Sequence, residues 1–294
     1  MEFKSVKPII KWAGGKSQLL DDIRGKYPTK IERYCEPFVG GGAVLLDVLA
    51  NFCPTEVLFN DINAELINTY KQIQQNVDNL IETLSEMQKS FWEKGDSDRK
   101  SMYLEKRDRF NDIKSRGVQE ELEMAALFIF LNKTCFNGLY RVNSKGQFNV
   151  PIGSYKMPHI CDADNLSNVS QLLQNVEVRC GDYSGCADFV KENTFVYIDP
   201  PYRPLTATAS FTSYSEGEFG DKQQIELSKF VDKISDKGAM VVLSNSDPKN
   251  SDTEDNFFDD LYSEYSISRI SAKRMINSKG SSRGSISELL ICNY

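Results

Sequence analysis

The chain has 294 residues, 40% of them hydrophobic and 26% charged, with a formal net charge of −7. This balance suits one large domain, or a domain carrying a sizeable insertion, and excludes low-complexity and collagen-like chains. No apolar run is long enough to span a bilayer and "MEFKSVKPII" has no apolar leader core, so a cytoplasmic protein is expected.

The N-terminus carries Lys4, Lys7, Lys11 and Lys16, followed by a helical pattern, "GKSQLLDDIR". A strand-like run at 34–39, "YCEPFV", leads into Gly40, Gly41 and Gly42 and then a helical pattern, "AVLLDVLANF". Glycines there let the backbone approach a ligand beside a helix N-terminus. The next run, "EVLFN" at 56–60, ends at Asp61, about twenty residues on, where an acid suits two ribose hydroxyls. The pair fits NAD or S-adenosylmethionine, since both carry an adenosine. Leu45 stands where a third fingerprint glycine would be, which tilts the choice away from a dinucleotide.

Between about 64 and 175 the alternation of strand and helix breaks. A helical pattern, "AELINTYKQIQQNVDNLIETL", opens a mostly helical stretch that turns loop-rich, and "LYRVN" and "QFNVP" flank "SKG" as a predicted β-hairpin. The stretch reads as a module inserted between the second and third strands. Alternation then resumes with "VEVRC" (176–180), "FVYID" (195–199), a helical "DKQQIELSKFVDKISDK", "AMVVLS" (239–244), "SISRI" (266–270) and "ELLICNY" (288–294). Several runs are unbroken and apolar, as in strands covered on both faces, and the order implies a parallel α/β sheet. Ligands of such sheets bind at the carboxyl ends of the strands, where Asp61, Asp182 and Asp199 fall.

The single histidine, His159 beside Pro158, argues against a histidine-dependent triad or a His-rich metal site. Seven scattered cysteines without a C-x-x-C pair argue against a disulfide framework. Charge is uneven: no acid lies between Leu131 and Ile160, which hold Lys133, Arg141, Lys145 and Lys156, nor between Arg269 and Arg283, which hold Lys273, Arg274 and Lys279. A solvated face explains any one such cluster; three on an acidic chain suggest an anion-binding surface.

"YIDPPY" at 197–202 ends the fourth strand with two residues that have no backbone N–H. An exocyclic amine such as that of adenine is a poor nucleophile, because its lone pair is delocalised into the ring. Two acceptors on its two N–H groups would localise that pair, and the Asp199 carboxylate and the Pro200 carbonyl supply them. Tyr202 offers a face on which a base stacks.

With "KWAGGK", "EPFVGGG", "NDIN", "FNGLYRVNSKGQFNVP", "DPPY", "FTSY" and "SSRGSISELL" in this order, the chain resembles the Dam-family DNA adenine-N6 methyltransferases, an alpha-group arrangement, over nearly its whole length. The resemblance implies a Rossmann-like, class I S-adenosylmethionine-dependent methyltransferase sheet with an inserted helical and β-hairpin target-recognition domain. The catalytic domain would comprise residues 1–63 and 176–294 and the recognition domain 64–175. Trp12, Gly14 and Lys16 would close over the methionine part of the donor, Phe38 and Gly40 would line its pocket, Asp61 would take the ribose, and Asp182 and Tyr183 would sit near its adenine. Asp199, Pro200 and Tyr202 would hold the flipped target adenine. Lys11 would face the first guanine of GATC; Leu139, Arg141 and Pro151 the thymine methyl and last G·C pair; Phe136 and Asn137 the gap left by the flipped base. Ser154 replaces a frequent arginine of the family, weakening one phosphate or flanking contact.

The resemblance further implies double-stranded DNA as partner, S-adenosylhomocysteine as product, no metal, no membrane, a monomer, and a bacterial or phage setting with a restriction endonuclease as a candidate companion. The rival readings are a methyltransferase of an RNA base or protein amide nitrogen, and a non-catalytic DNA-binding relative.

Overall fold

The structure, a computed structural model, describes residues 6–117, 120–203, 219–273 and 285–294. "FTSY", the start of "SSRGSISELL", Lys4, Arg274, Lys279 and Arg283 lie outside the described residues.

The described strands are β1 (Arg33–Glu36), β2 (Glu56–Asp61), β3 (Glu177–Cys180), β4 (Thr194–Ile198), β5 (Met240–Ser246), β6 (Ser266–Lys273) and β7 (Ser285–Cys292). Each overlaps one of the strand-like runs of the sequence. They form one sheet in the order β3-β2-β1-β4-β5-β7-β6. β1 pairs parallel with β2 and β4, and β4 with β5, whereas β7 runs antiparallel between β5 and β6. The sheet is therefore mixed, not wholly parallel as the alternation suggested. A parallel crossover needs a dozen or more residues, usually a helix. Only 274–284 separate β6 from β7.

The chain divides into two compact units. The first holds residues up to Gly15, Gly40–Asn51 and Asp61–Gly181; the second holds Lys16–Val39, Phe52–Asn60 and the chain from Asp182 on. This packing division does not follow the boundaries 63/64 and 175/176 read from sequence. Trp12 lies against Phe128 and Tyr140, and the Tyr70 hydroxyl donates to the Gly40 carbonyl at 3.0 Å, knitting the segments at 12 and 40 to the helices.

In the second unit, Val196 and Ile198 of β4, Val241 and Leu243 of β5, and Leu289 and Ile291 of β7 share one face by the period of two. Helix Asp221–Ser235 lays Leu227, Phe230, Val231 and Ile234 on that face, the i, i+3, i+4, i+7 spacing of one helical stripe. β4 is buried at every position, so its carboxyl end is held rigidly.

In the first unit, helix Glu121–Thr134 is buried from Ala125 to Asn132, apolar all round, and packs against helices Ala64–Gln75, Val77–Glu93 and Asp96–Arg116. The helical pattern over 64–84 forms parts of two helices, which part at Asn76 (φ −137°), where the Asn76 side chain donates to that of Gln72. The predicted hairpin is closed by one antiparallel bridge, Val142 to Phe148, with Asn143 N donating to Gln147 O at 2.9 Å. It is tied to the helices from below: Asn111 exchanges two bonds with the Phe148 backbone, and the Tyr103 hydroxyl donates to Val150 O at 2.7 Å. Among the described residues no helix is long and apolar enough to cross a membrane.

Candidate active site

Asp199 follows the last residue of β4, and its side chain keeps 21% of its surface exposed. Its Oδ1 lies 2.7 Å from Lys16 Nζ and accepts from the Ser244 hydroxyl at 3.0 Å. Lys16 is 4% exposed, and its ammonium also stands 4.7 Å from the centre of the Tyr202 ring. Burial raises the Asp199 pKa above the usual carboxylate value, while Lys16 and the Ser244 bond pull it back. The Tyr202 hydroxyl donates to Glu288 of β7 at 2.6 Å, fixing the ring's direction. The Pro201 carbonyl accepts from Gln224, which is fully buried and itself accepts from Asn245 of β5. A proline pair with fixed φ, anchored at one carbonyl, leaves this rim little freedom.

Phe38 and Tyr183, both predicted, form one stacked pair with centroids 5.2 Å apart and 29° between planes. Asp182 accepts from Ser184 N at 2.9 Å and is exposed. Lys16, Asp199 and Tyr202 thus form one cluster of the second unit, and Phe38 with Tyr183 another.

In the first unit, Asp61 accepts from Gly40 N at 3.0 Å and Asn63 N at 2.9 Å. Burial raises its pKa, and these backbone donors oppose the rise. The glycine turn has a packing reason that sequence reading did not supply. A Cβ on Gly40 would fall 2.8 Å from Trp12, and one on Gly42 would fall 2.5 Å from the Tyr70 hydroxyl. Gly40 and Gly42 also have φ of +47° and +71°, which disfavours any side chain. Gly14 turns the exposed loop after Trp12 with φ +75°.

The predicted DNA-contacting residues all belong to the first unit. Phe136, Asn137, Arg141, Pro151 and Lys11 are exposed and Leu139 is half-buried. Phe136 N donates to Pro151 O at 2.8 Å, and Arg141 Nε to Asn149 Oδ1 at 2.8 Å. Ser154 is exposed.

Three cations at two of the basic clusters are paired with acids. Arg269 is held by Asp247 at 3.0 Å and Asp259 at 2.7 Å; Lys7 pairs with Asp162 at 2.7 Å, and Lys16 is the buried partner of Asp199. Acids outside the basic stretches pair with them, so they are not free anion-binding groups. Residues that sequence reading missed are Ser244, Glu288, Gln224, Tyr70 and Asn132. Glu288 lies inside the quoted "SSRGSISELL", but the resemblance gives it no role there, and the other four sit in no quoted motif. Ser244 and Glu288 reach their partners through the pairing of β5 with β7 and Gln224 through its helix in the second unit, while Tyr70 and Asn132 reach theirs from helices of the first.

Comparison with known proteins adds the following. The family model described as D12 class N6 adenine-specific DNA methyltransferase matches residues 12–276. The chain is 48% identical to the Type II methyltransferase M.MjaIII of Methanocaldococcus jannaschii, covering 98% of this chain and 99% of that protein. It is 37% identical to the Type II methyltransferase M1.LlaDCHI of Lactococcus lactis subsp. cremoris, covering 99% and 96%. It is 34% identical to a DNA adenine methylase of Haemophilus influenzae, covering 97% and 92%.

Proposed function

This chain belongs to the D12 class of N6 adenine-specific DNA methyltransferases, and on that premise we propose that it methylates N6 of the adenine in duplex GATC, from S-adenosylmethionine, after flipping the base out of the helix. The observation that carries the reading is Asp199 at the carboxyl end of a fully buried strand, followed by Pro200 and by a Tyr202 ring whose hydroxyl is fixed on Glu288.

The residue types fit the donor. Asp61 is a carboxylate pinned by two backbone N–H groups, and it still has acceptor capacity for ribose hydroxyls. The Phe38–Tyr183 pair offers a half-buried aromatic surface for a purine. When bound, S-adenosylmethionine supplies an electrophilic methyl group and is left as S-adenosylhomocysteine. The chain's own work is to prepare the nucleophile. Asp199 accepts one N–H of the adenine amine and Pro200 O the other, which localises the nitrogen lone pair. Tyr202 stacks on the base, which must leave the duplex to be reached. With N6 so prepared, its lone pair would be directed at the donor's methyl group, and the surplus N6 proton would leave to water. Asp199 need not be a strong base. On the recognition side, Arg141 suits guanine O6 and N7, and Leu139 and Pro151 suit the thymine methyl. Residues 64–175 are the recognition domain in this reading, the protein acts on DNA in the cytoplasm, and a companion restriction nuclease is part of it because two relatives carry the name Type II methyltransferase.

The test incubates the protein with labelled S-adenosylmethionine and duplexes carrying GATC or a scrambled site, and identifies the product nucleoside by mass. N6-methyladenine confined to GATC is the expected result. Methylation of RNA or protein but not DNA, or no transfer, overturns the reading. Binding to duplex should weaken steeply with salt.

The pH dependence has a definite sign. Methyl transfer needs ionised Asp199, whose pKa is raised, so the acid limb of kcat should lie above the ordinary carboxylate range. Lys16 favours the charged form, so Lys16→Met should move that limb to still higher pH at saturating donor. An unmoved limb would assign it to another group.

A further inference from the structure

Asn132 stands near the C-terminal end of the buried helix Glu121–Thr134 and is 4% exposed. Its Oδ1 accepts from Lys11 N at 2.9 Å, and its Nδ2 donates to Lys11 O at 2.8 Å. The same Nδ2 donates to Gly138 O at 2.9 Å. One carboxamide therefore grips both polar groups of the Lys11 backbone and the end of the Phe136–Gly138 turn. Three of its four hydrogen-bonding positions are spent on these two segments.

The two segments fit each other closely. A Cβ on Gly138 would lie 2.6 Å from Lys11 Cδ and 2.8 Å from its Cβ, so the lysine stem runs where a side chain is missing. Asn137 and Gly138 both take left-handed backbone, at φ +56° and +66°. Such conformations persist where the surroundings over-determine them. Two residues after Asn132, the Thr134 carbonyl accepts from Gly153 N at 2.8 Å, and Lys11 Nζ donates to the Tyr155 hydroxyl at 3.3 Å.

We propose that Asn132 is a positioning residue that sets the spacing between Lys11, the reader of the first base pair, and the Phe136–Asn137 turn, which enters the gap left by the flipped adenine. The inference rests on the reading given under Proposed function, together with the roles that the family resemblance implies for Lys11, Phe136 and Asn137, and adds to it a physical link. Discrimination at the first base pair and extrusion of the target adenine depend on one amide, so they fail together. Asn132 touches neither base; it acts through the backbone of residues that do.

Asn132→Asp is the test variant. It keeps the volume and the acceptor for Lys11 N, and it turns the donors toward Lys11 O and Gly138 O into an acceptor. Methylation is measured on GATC and on duplexes altered only at the first base pair, and extrusion by the fluorescence of 2-aminopurine at the target position. The expected result is at least about a tenfold loss of first-base discrimination, the scale of one base contact, with a matching loss of fluorescence gain and an unchanged Kd for S-adenosylmethionine. In the Lys11→Ala background, Asn132→Asp should cost no further discrimination. Gly138→Ala, which pushes on the Lys11 stem with Asn132 intact, should lower discrimination in the same direction and serves if Asn132→Asp does not fold. A fall in Tm with both DNA readouts unchanged, or additive losses with Lys11→Ala, overturns the proposal. Wild-type protein that transfers no methyl to GATC overturns the underlying reading instead, and the assignment to Asn132 falls with it.

Discussion

Asp199→Asn is expected to lower kcat for methyl transfer to duplex GATC by at least about a hundred- to a thousand-fold, the cost of one lost charge-stabilising partner in a preorganised site, while Kd for S-adenosylmethionine changes little. The substitution keeps the shape of the side chain. The amide oxygen would turn to Lys16, which stands 2.7 Å from Oδ1, because the ammonium repels an NH2 group. The NH2 group then faces the adenine amine, donor against donor. Lone-pair localisation is lost just where the transition state needs it, so the loss falls on kcat and not on binding of the donor. Asp199→Ala should be at least as inactive, but it also removes the carboxylate from a buried ammonium, and breaking a buried pair typically costs about 3–5 kcal/mol of stability. Asn is therefore the cleaner test. Single-turnover kinetics at saturating donor and DNA would check it. A rate near that of the wild type would remove Asp199 from the chemistry.

Asp61→Ala should show the opposite division: Kd for S-adenosylmethionine rises by roughly ten- to a hundred-fold, the range of a hydrogen bond to a charged group, and kcat at saturation is largely kept. Two effects combine. The carboxylate offered to the donor's ribose disappears, and Gly40 N and Asn63 N lose the acceptor that lies 3.0 and 2.9 Å away. The Gly40–Gly42 turn would then be held on its carbonyl side by the Tyr70 hydroxyl at 3.0 Å and on its open side by Trp12. Asp61→Asn keeps an acceptor for one of the two N–H groups and should fall between the wild type and Ala. Titration calorimetry with S-adenosylmethionine alone, without DNA, measures the effect directly. An unchanged Kd would show that this acid serves only the turn.

The seven strands and the position of Asp199 were legible because strands leave β-rich runs, several of them unbroken and apolar, between helical patterns, and because two prolines after an acid are rare at a strand end. The insertion was legible as a break in alternation. The sense of β7 was not, because an apolar run does not encode which way its neighbour points. The break at Asn76 was hidden because the helical period continues through it.

What the sequence by itself determined is the kind of chemistry: short motifs hold groups that act within a few residues of each other, and that spacing survives any packing. The charges show the limit of such reading. Lys7, Lys16 and Arg269 stand in acid-free stretches, yet each is paired with an acid outside its own stretch: Asp162, Asp199, and Asp247 with Asp259 respectively. Only the tertiary structure decided which cations stay available, and likewise that Glu288 aims Tyr202 and Asn132 aligns Lys11. Electrostatic attraction and hydrogen bonding fall off with distance in space, and folding makes neighbours of residues that no spacing rule connects.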